Sequence, residues 1–446
     1  MELVKSRRGD IDNFKEISCG ADAAKHFNFS SGYKNLNHGS FGTYPLEVRS
    51  VMRSFQDECE QEPDNFLRYK LPNYMDESRE AISKHINAPT ETVVLIPNAT
   101  TGVNIVLRNL VFSPGDVIIY CSTIYGACHK TVEYIVETTP AESHQVEFHY
   151  PISDDDVVKA YESAFKKIRS EGKTPKIAIF DTLVSMPGVR MPFEHLTELC
   201  RSNNVLSLVD GAHSVGQLPL NLSKLDPDFF VSNAHKWLLV PRGCAVFYVP
   251  VRHQHLIRSS LPTSHGFIPK TGGKINNPLP PSTKSEFVNA FEFVGTVDWS
   301  PYFCIPAAIA WRSKITYGEK TGEDAILDYC CQLSAEGGKL VASALGTELL
   351  ENEKGTLSAG TNFVNVRLPI SYSDDAGGNY GNAAKIGQWM TKQLLDEHNT
   401  FMVFLLHDDK IYTRISSAVY LTLEDYELAA KALVKLCERV RQGAWK

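Results

Sequence analysis

Asp210 closes the apolar run Val205-Leu206-Ser207-Leu208-Val209. Lys236 follows the run Asp228-Phe229-Phe230-Val231-Ser232, within Asn233-Ala234-His235-Lys236-Trp237. One buried strand ending in a carboxylate and the next in a lysine is a pairing that pyridoxal 5'-phosphate (PLP) chemistry requires. The lysine amine condenses with the cofactor's aldehyde. The carboxylate keeps a proton on the pyridine nitrogen, so the ring stays an electron sink. Such residues at strand ends more often just face solvent, so the pair needs company. Asn98-Ala99-Thr100-Thr101-Gly102 supplies some, lying between an apolar strand and a helix, where backbone N–H groups and hydroxyls can cradle a dianion. Capping by Asn98 or Thr100 is the plainer reading of that segment alone.

The elements around these residues alternate. Apolar runs of strand length, at 92–97, 117–120, 146–150 and 176–180 and before Asp210 and Lys236, are separated by helical patterns at 98–110, 126–138, 154–170 and 193–203. A hairpin-like segment follows at 243–249. This order predicts a mostly parallel α/β sheet covered on both faces, with ligands beyond the carboxyl ends of its strands. Residues 1–32 read as a loosely structured polar extension, residues 33–300 as a large domain whose first part, 33–90, contributes to a smaller one, and residues 301–446 as a small C-terminal α+β domain. The Pro- and Gly-rich stretch 259–300 reads as a long loop, of the kind that covers a site or reaches another subunit.

Composition narrows the class. Across 446 residues the net charge is -7, which gives no electrostatic reason to expect nucleic acid or an anionic membrane as partner. No apolar stretch reaches the ~18 residues of a membrane span, and the first ten residues lack a signal core. The ten cysteines are scattered without a Cys-x-x-Cys pair, which favours reduced cytoplasmic thiols over zinc or a disulfide framework.

With Asn-Ala-Thr-Thr-Gly, Asp-Gly-Ala-His and Asn-Ala-His-Lys-Trp in that order, the chain resembles the class V aminotransferase family of fold type I PLP enzymes, over roughly residues 33–440. Leu36-Asn37-His38-Gly39-Ser40-Phe41-Gly42 resembles the members similar to isopenicillin N epimerase, to the carbon–sulfur lyase of ergothioneine assembly and to the loline-alkaloid PLP enzyme. The resemblance implies PLP as cofactor, with Lys236 as its lysine and acid/base. It places Asp210 at the ring nitrogen, His213 near the ring hydroxyl, Ser185 beside the ring oxygen and Tyr125 on the cofactor face as a proton donor. It assigns Thr100, Thr101, Asn233 and His235 to the phosphate, together with Thr296 from a neighbouring subunit of a homodimer. Arg414, a planar fork suited to a carboxylate, would bind the substrate with Asn37 and His38. The implied substrate is a small amino-acid derivative, and the reaction a β-elimination from an S-substituted cysteine or its sulfoxide. Carbon–carbon bond chemistry of the loline kind is the alternative. Cysteine desulfurisation is another, and needs a mobile thiol such as Cys128 or Cys304. The loop His407-Asp408-Asp409-Lys410 would alter substrate choice if it reached the pocket.

Overall fold

In the computed structural model, which describes residues 15–272 and 277–446, seven strands form the central sheet. They are β1 (Val93–Ile96), β2 (Asp116–Cys121), β3 (Glu142–Val146), β4 (Thr174–Asp181), β5 (Leu206–Asp210), β6 (Phe229–Ser232) and β7 (Ala245–Tyr248). Their spatial order is β1-β7-β6-β5-β4-β2-β3, and only β7 runs antiparallel to its neighbours. Strands β1, β2, β5, β6 and β7 are almost wholly buried, as near-continuous Val/Ile/Leu/Phe runs require when both faces are covered. Val209 and Phe180 feed the core on one face, and Leu208 and Ile179 the core on the other. Helices α3 (Ala99–Asn109), α4 (Gly126–Thr138), α5 (Asp154–Ser170) and α6 (Phe193–Ser202) form the crossovers, preceded by α1 (Leu46–Gln61) and α2 (Leu71–His85). Strand β3 lies earlier than the apolar pattern indicated, because its Glu-Ser-His-Gln sequence sits on the sheet's edge, where polar residues blunt further pairing.

The small domain holds α7 (Gly322–Leu345), β8 (Phe363–Ser371), α8 (Tyr380–His398), β9 (Val403–His407), β10 (Lys410–Ser416) and α9 (Leu423–Arg441), with an antiparallel sheet of order β8-β10-β9. Two expectations need correction. Residues 15–32 are not loose: Ile17–Ser18 pairs in parallel with Ile315–Thr316, and Phe27 packs against Trp311 and Tyr420. Nor is 259–300 one continuous loop. Ser285 caps a helix, Glu286–Glu292, whose Phe287, Val288 and Phe291 are buried; residues 273–276 lie outside the described residues. Among the described residues no helix is long and apolar enough to cross a membrane.

Candidate active site

Lys236 lies beyond the strand that leads to it. Strand β6 stops at Ser232, and the lysine sits on a one-turn helix, Ala234–Trp237. Two segments grip that turn. Gly42, at φ +64°, leaves room that any Cβ would fill, since it would come 1.9 Å from the His235 carbonyl oxygen. His38 Nε2 donates to the Lys236 carbonyl at 2.8 Å, and Arg312 Nη1 to that of Trp237 at 2.6 Å. His38 Nδ1 accepts from the Tyr420 hydroxyl at 2.9 Å, which accepts from Asn35 at 2.8 Å. Burial lowers the His38 pKa to about 4, so the ring is neutral. Both nitrogens being engaged, His38 does not line the substrate pocket as the sequence suggested. It fixes the lysine's backbone.

The lysine's amine is 3.1 Å from His213 Nε2, while His213 Nδ1 faces the indole N–H of Trp237 at 3.4 Å. An indole nitrogen only donates, so the imidazole proton belongs on Nε2 and the Lys236 amine accepts it. That arrangement requires the uncharged amine. Burial first, then the Arg414 charge, lowers the Lys236 pKa to about 8, against the pull of Asp210 and Asp181. The same burial drives His213 well below its ordinary value.

Asp210 is buried at the end of β5, with Ala212 N–H on Oδ1 at 2.9 Å and the Cys128 thiol on Oδ2 at 3.6 Å. Asp181, which sequence reasoning overlooked, ends β4 in register with it and is also buried. Strand neighbours stand about 4.8 Å apart, so two buried carboxylates here cannot both carry charge. Burial raises both groups. Asp181 is pushed well up by burial and the neighbouring Asp210, whereas at Asp210 burial is opposed by the Ala212 N–H, the Lys236 charge and the Cys128 thiol, which makes it the better holder of the shared charge. The motif at 98–102 offered no signal for Asp181. The position of Asp181 as the last residue of its own apolar run did.

Arg414 is central in the small sheet, opposite Asn365 and Val403. It is 1% exposed. Its Nη1 donates to the Ser185 carbonyl and lies 3.5 Å from that residue's hydroxyl, and Nη2 donates to Asn37 Oδ1 and Ser40 Oγ, each at 3.1 Å. Phe363 lies against its face at 4.5 Å. Among the described residues its Nε has no hydrogen-bond partner. Ser185 thus holds Arg414 through its carbonyl. Asn365, also missed, clamps both the N–H and the C=O of Gly188 at 2.9 Å, and Gly188 is needed because a Cβ there would press Arg414 Cδ at 2.7 Å.

At the start of α3, Thr101 N–H and hydroxyl both turn to Asn98 Oδ1, at 2.8 and 3.0 Å, and Ala99 N–H donates to Asn233 Oδ1 at 2.8 Å. Asn98 therefore caps the helix, and Asn233 ties it to β6. The Thr100 hydroxyl is the one left free. His235 donates from Nδ1 to the Cys244 carbonyl at 2.8 Å, and burial lowers its pKa to about 4. Its Nε2 is then an acceptor, so a bound dianion must favour a second proton there. Tyr125, half exposed, precedes α4. Thr296 is exposed after Gly295, apart from the other site residues.

A buried lysine whose pKa is lowered to about 8, a buried aspartate and a helix start with a free hydroxyl fit PLP's aldehyde, ring nitrogen and phosphate. The fold and this site define a PLP-dependent enzyme, and the chain belongs to the class V aminotransferase family. The family model "Aminotransferase class-V" matches residues 66–273. The chain is 37% identical to "L-cysteine desulfhydrase-like protein lolT1" of Epichloe uncinata, over 96% of this chain and 98% of the relative. It is 30% identical to "Hercynylcysteine sulfoxide lyase" of Schizosaccharomyces pombe, over 94% and 98%. Among solved structures it is similar to the cystine C–S lyase C-DES in complex with cysteine persulfide, with a TM-score of 0.69 and 18% identity over 92% of this chain and 98% of that one.

Proposed function

We propose that this enzyme eliminates the sulfur substituent from an S-substituted cysteine or its sulfoxide, releasing pyruvate and ammonia after hydrolysis. The observation that carries the amino-acid substrate is Arg414. A buried guanidinium normally has a carboxylate beside it, and here its acceptors are a carbonyl, an amide oxygen and hydroxyls. Burial lowers even its pKa, to about 10. A substrate α-carboxylate supplies the missing charge. Lys236, uncharged and held by His213, removes the Cα proton. When bound, PLP provides the sink for the electron pair left behind. Asp210 holds the proton on the ring nitrogen that makes this sink effective. Tyr125 donates a proton to the departing sulfur, and Thr100 and His235 hold the phosphate, the Thr101 donors being spent on Asn98.

The names of the relatives support carbon–sulfur chemistry, and the thiols argue against a desulfurase. Burial pushes all ten cysteines up, Cys331 to about 11 and Cys19 to about 12. Cys128 and Cys304 are both fully buried. None is the low-pKa thiolate on an accessible loop that persulfide transfer needs. The proposal is tested by incubating the enzyme with S-methylcysteine and assaying pyruvate. Arg414→Lys is expected to raise KM at least tenfold, because a point charge replaces a two-pronged clamp, while cofactor content stays unchanged. Loss of cofactor at constant KM would place Arg414 in the cofactor site instead.

We also infer that two chains share each site. Thr296 and Val297 are exposed on a segment that follows the Pro/Gly-rich stretch, and the family places such a threonine on the partner's phosphate. Mixing Lys236→Ala with Thr296→Ala protein then creates heterodimers in which one site carries both lesions and the other none. Activity is expected to rise above the average of the two parents. A monomer by light scattering, with additive activities, rules this out.

A further inference from the structure

A groove of about 790 Å³ runs between the large-domain loops and the small domain. Its inner wall is formed by Ile124 and Met186. Ile124 immediately precedes Tyr125, and Met186 immediately follows Ser185, whose carbonyl receives Arg414. Adjacent residues are about 3.8 Å apart along the chain, so the groove wall stands one residue from the carbonyl that holds Arg414. Its outer wall is the side of α8 carrying Tyr380 and Ala384, with Phe404 and Leu406 of β9. Tyr380 is 72% exposed and Met186 48%.

Free cysteine gives such a groove nothing to hold. The volume lies in the range of pockets that bury a whole small ligand. The polar lining is neutral except for Lys392, which already pairs with Asp396. His407, on the floor, is lowered by burial and held against the Tyr150 backbone. The acidic tip beyond it, Asp408-Asp409, turns away with both residues exposed, so the loop brings no carboxylate into the groove.

We propose that this groove seats the sulfur substituent of the substrate, and that the enzyme prefers cysteine S-conjugates bearing a bulky, uncharged aromatic or alkyl group. This rests on the lyase reading above and specifies its substrate class. Apolar patches at Ile124, Met186, Phe404 and Leu406, among neutral polar groups and with no spare counter-ion, favour desolvating a ring or alkyl chain over a carboxylate or an ammonium.

The test compares S-benzylcysteine, S-methylcysteine and S-(2-carboxyethyl)cysteine by pyruvate release. The expected kcat/KM for the benzyl conjugate exceeds that for the other two at least tenfold. Ala384→Trp, at an exposed helix position, narrows the groove and should lower the benzyl-to-methyl ratio at least tenfold. In parallel, calorimetry on cofactor-loaded Lys236→Ala protein, which does not turn over, should show the benzyl conjugate binding at least tenfold tighter than the methyl one. A flat ratio, an unchanged ratio in Ala384→Trp, or equal affinities overturn the groove assignment while pyruvate from S-methylcysteine keeps the lyase reading. No pyruvate from any conjugate overturns the lyase reading, and calorimetry then decides the groove alone.

Discussion

Lys236→Ala removes turnover by at least about 10⁴-fold, the upper end of what one positioned acid/base contributes, because the same side chain also captures the cofactor. Borohydride then fixes no cofactor to the chain, and fixation at another lysine would overturn the assignment. The wild-type amine predicts the pH course of capture. Its pKa is lowered to about 8 by burial, so the uncharged, nucleophilic form gains with rising pH only as far as that value. Loading of cofactor-free enzyme should therefore accelerate up to about pH 8 and then level off. An ordinary lysine keeps gaining until about pH 10.4. Continued acceleration to pH 10 would mean that the amine is not desolvated.

Asp210→Asn should lower kcat at least about 10²-fold while cofactor content remains, because the amide keeps the shape of the carboxylate and discards its charge. A loss under tenfold, about 1.4 kcal/mol, would point to Asp181 as the group that takes over. The register of β4 with β5 makes that outcome checkable. Burial alone then holds the Asp181 pKa up: with Asp210 neutral, the repulsion that added to it is gone, and the pKa falls. The double variant Asp181→Asn/Asp210→Asn then shows the full loss. Equal effects of the single and double variants assign the charge to Asp210 alone.

The sheet was legible because buried parallel strands are continuous apolar runs, and Asp210 was visible because it interrupts one. Arg414 was legible only through family resemblance, since a lone arginine in a strand carries no periodic signal. What stayed hidden were contacts between segments distant in the chain. Nothing in Asn37-His38-Gly39 reveals that His38 spends both nitrogens on Tyr420 and the Lys236 backbone, and nothing near Ser185 shows that it faces Arg414. The helix at 286–292 was masked by the prolines before it, although Ser285 and the spacing of Phe287, Val288 and Phe291 carried the helical signal.

The grip on the Lys236 turn has a consequence for how the molecule comes into being. Asn35 and His38 are made early, Lys236 midway, and Tyr420 only near the end, yet all four belong to one hydrogen-bonded chain. Arg414, too, emerges after every loop that receives it. A ribosome-bound chain that stops short of β10 lacks the carboxylate clamp and the Tyr420 end of the hydrogen-bonded chain that seats the lysine turn. The order of synthesis thus delays an assembled site until the segment carrying Arg414 and Tyr420 has emerged.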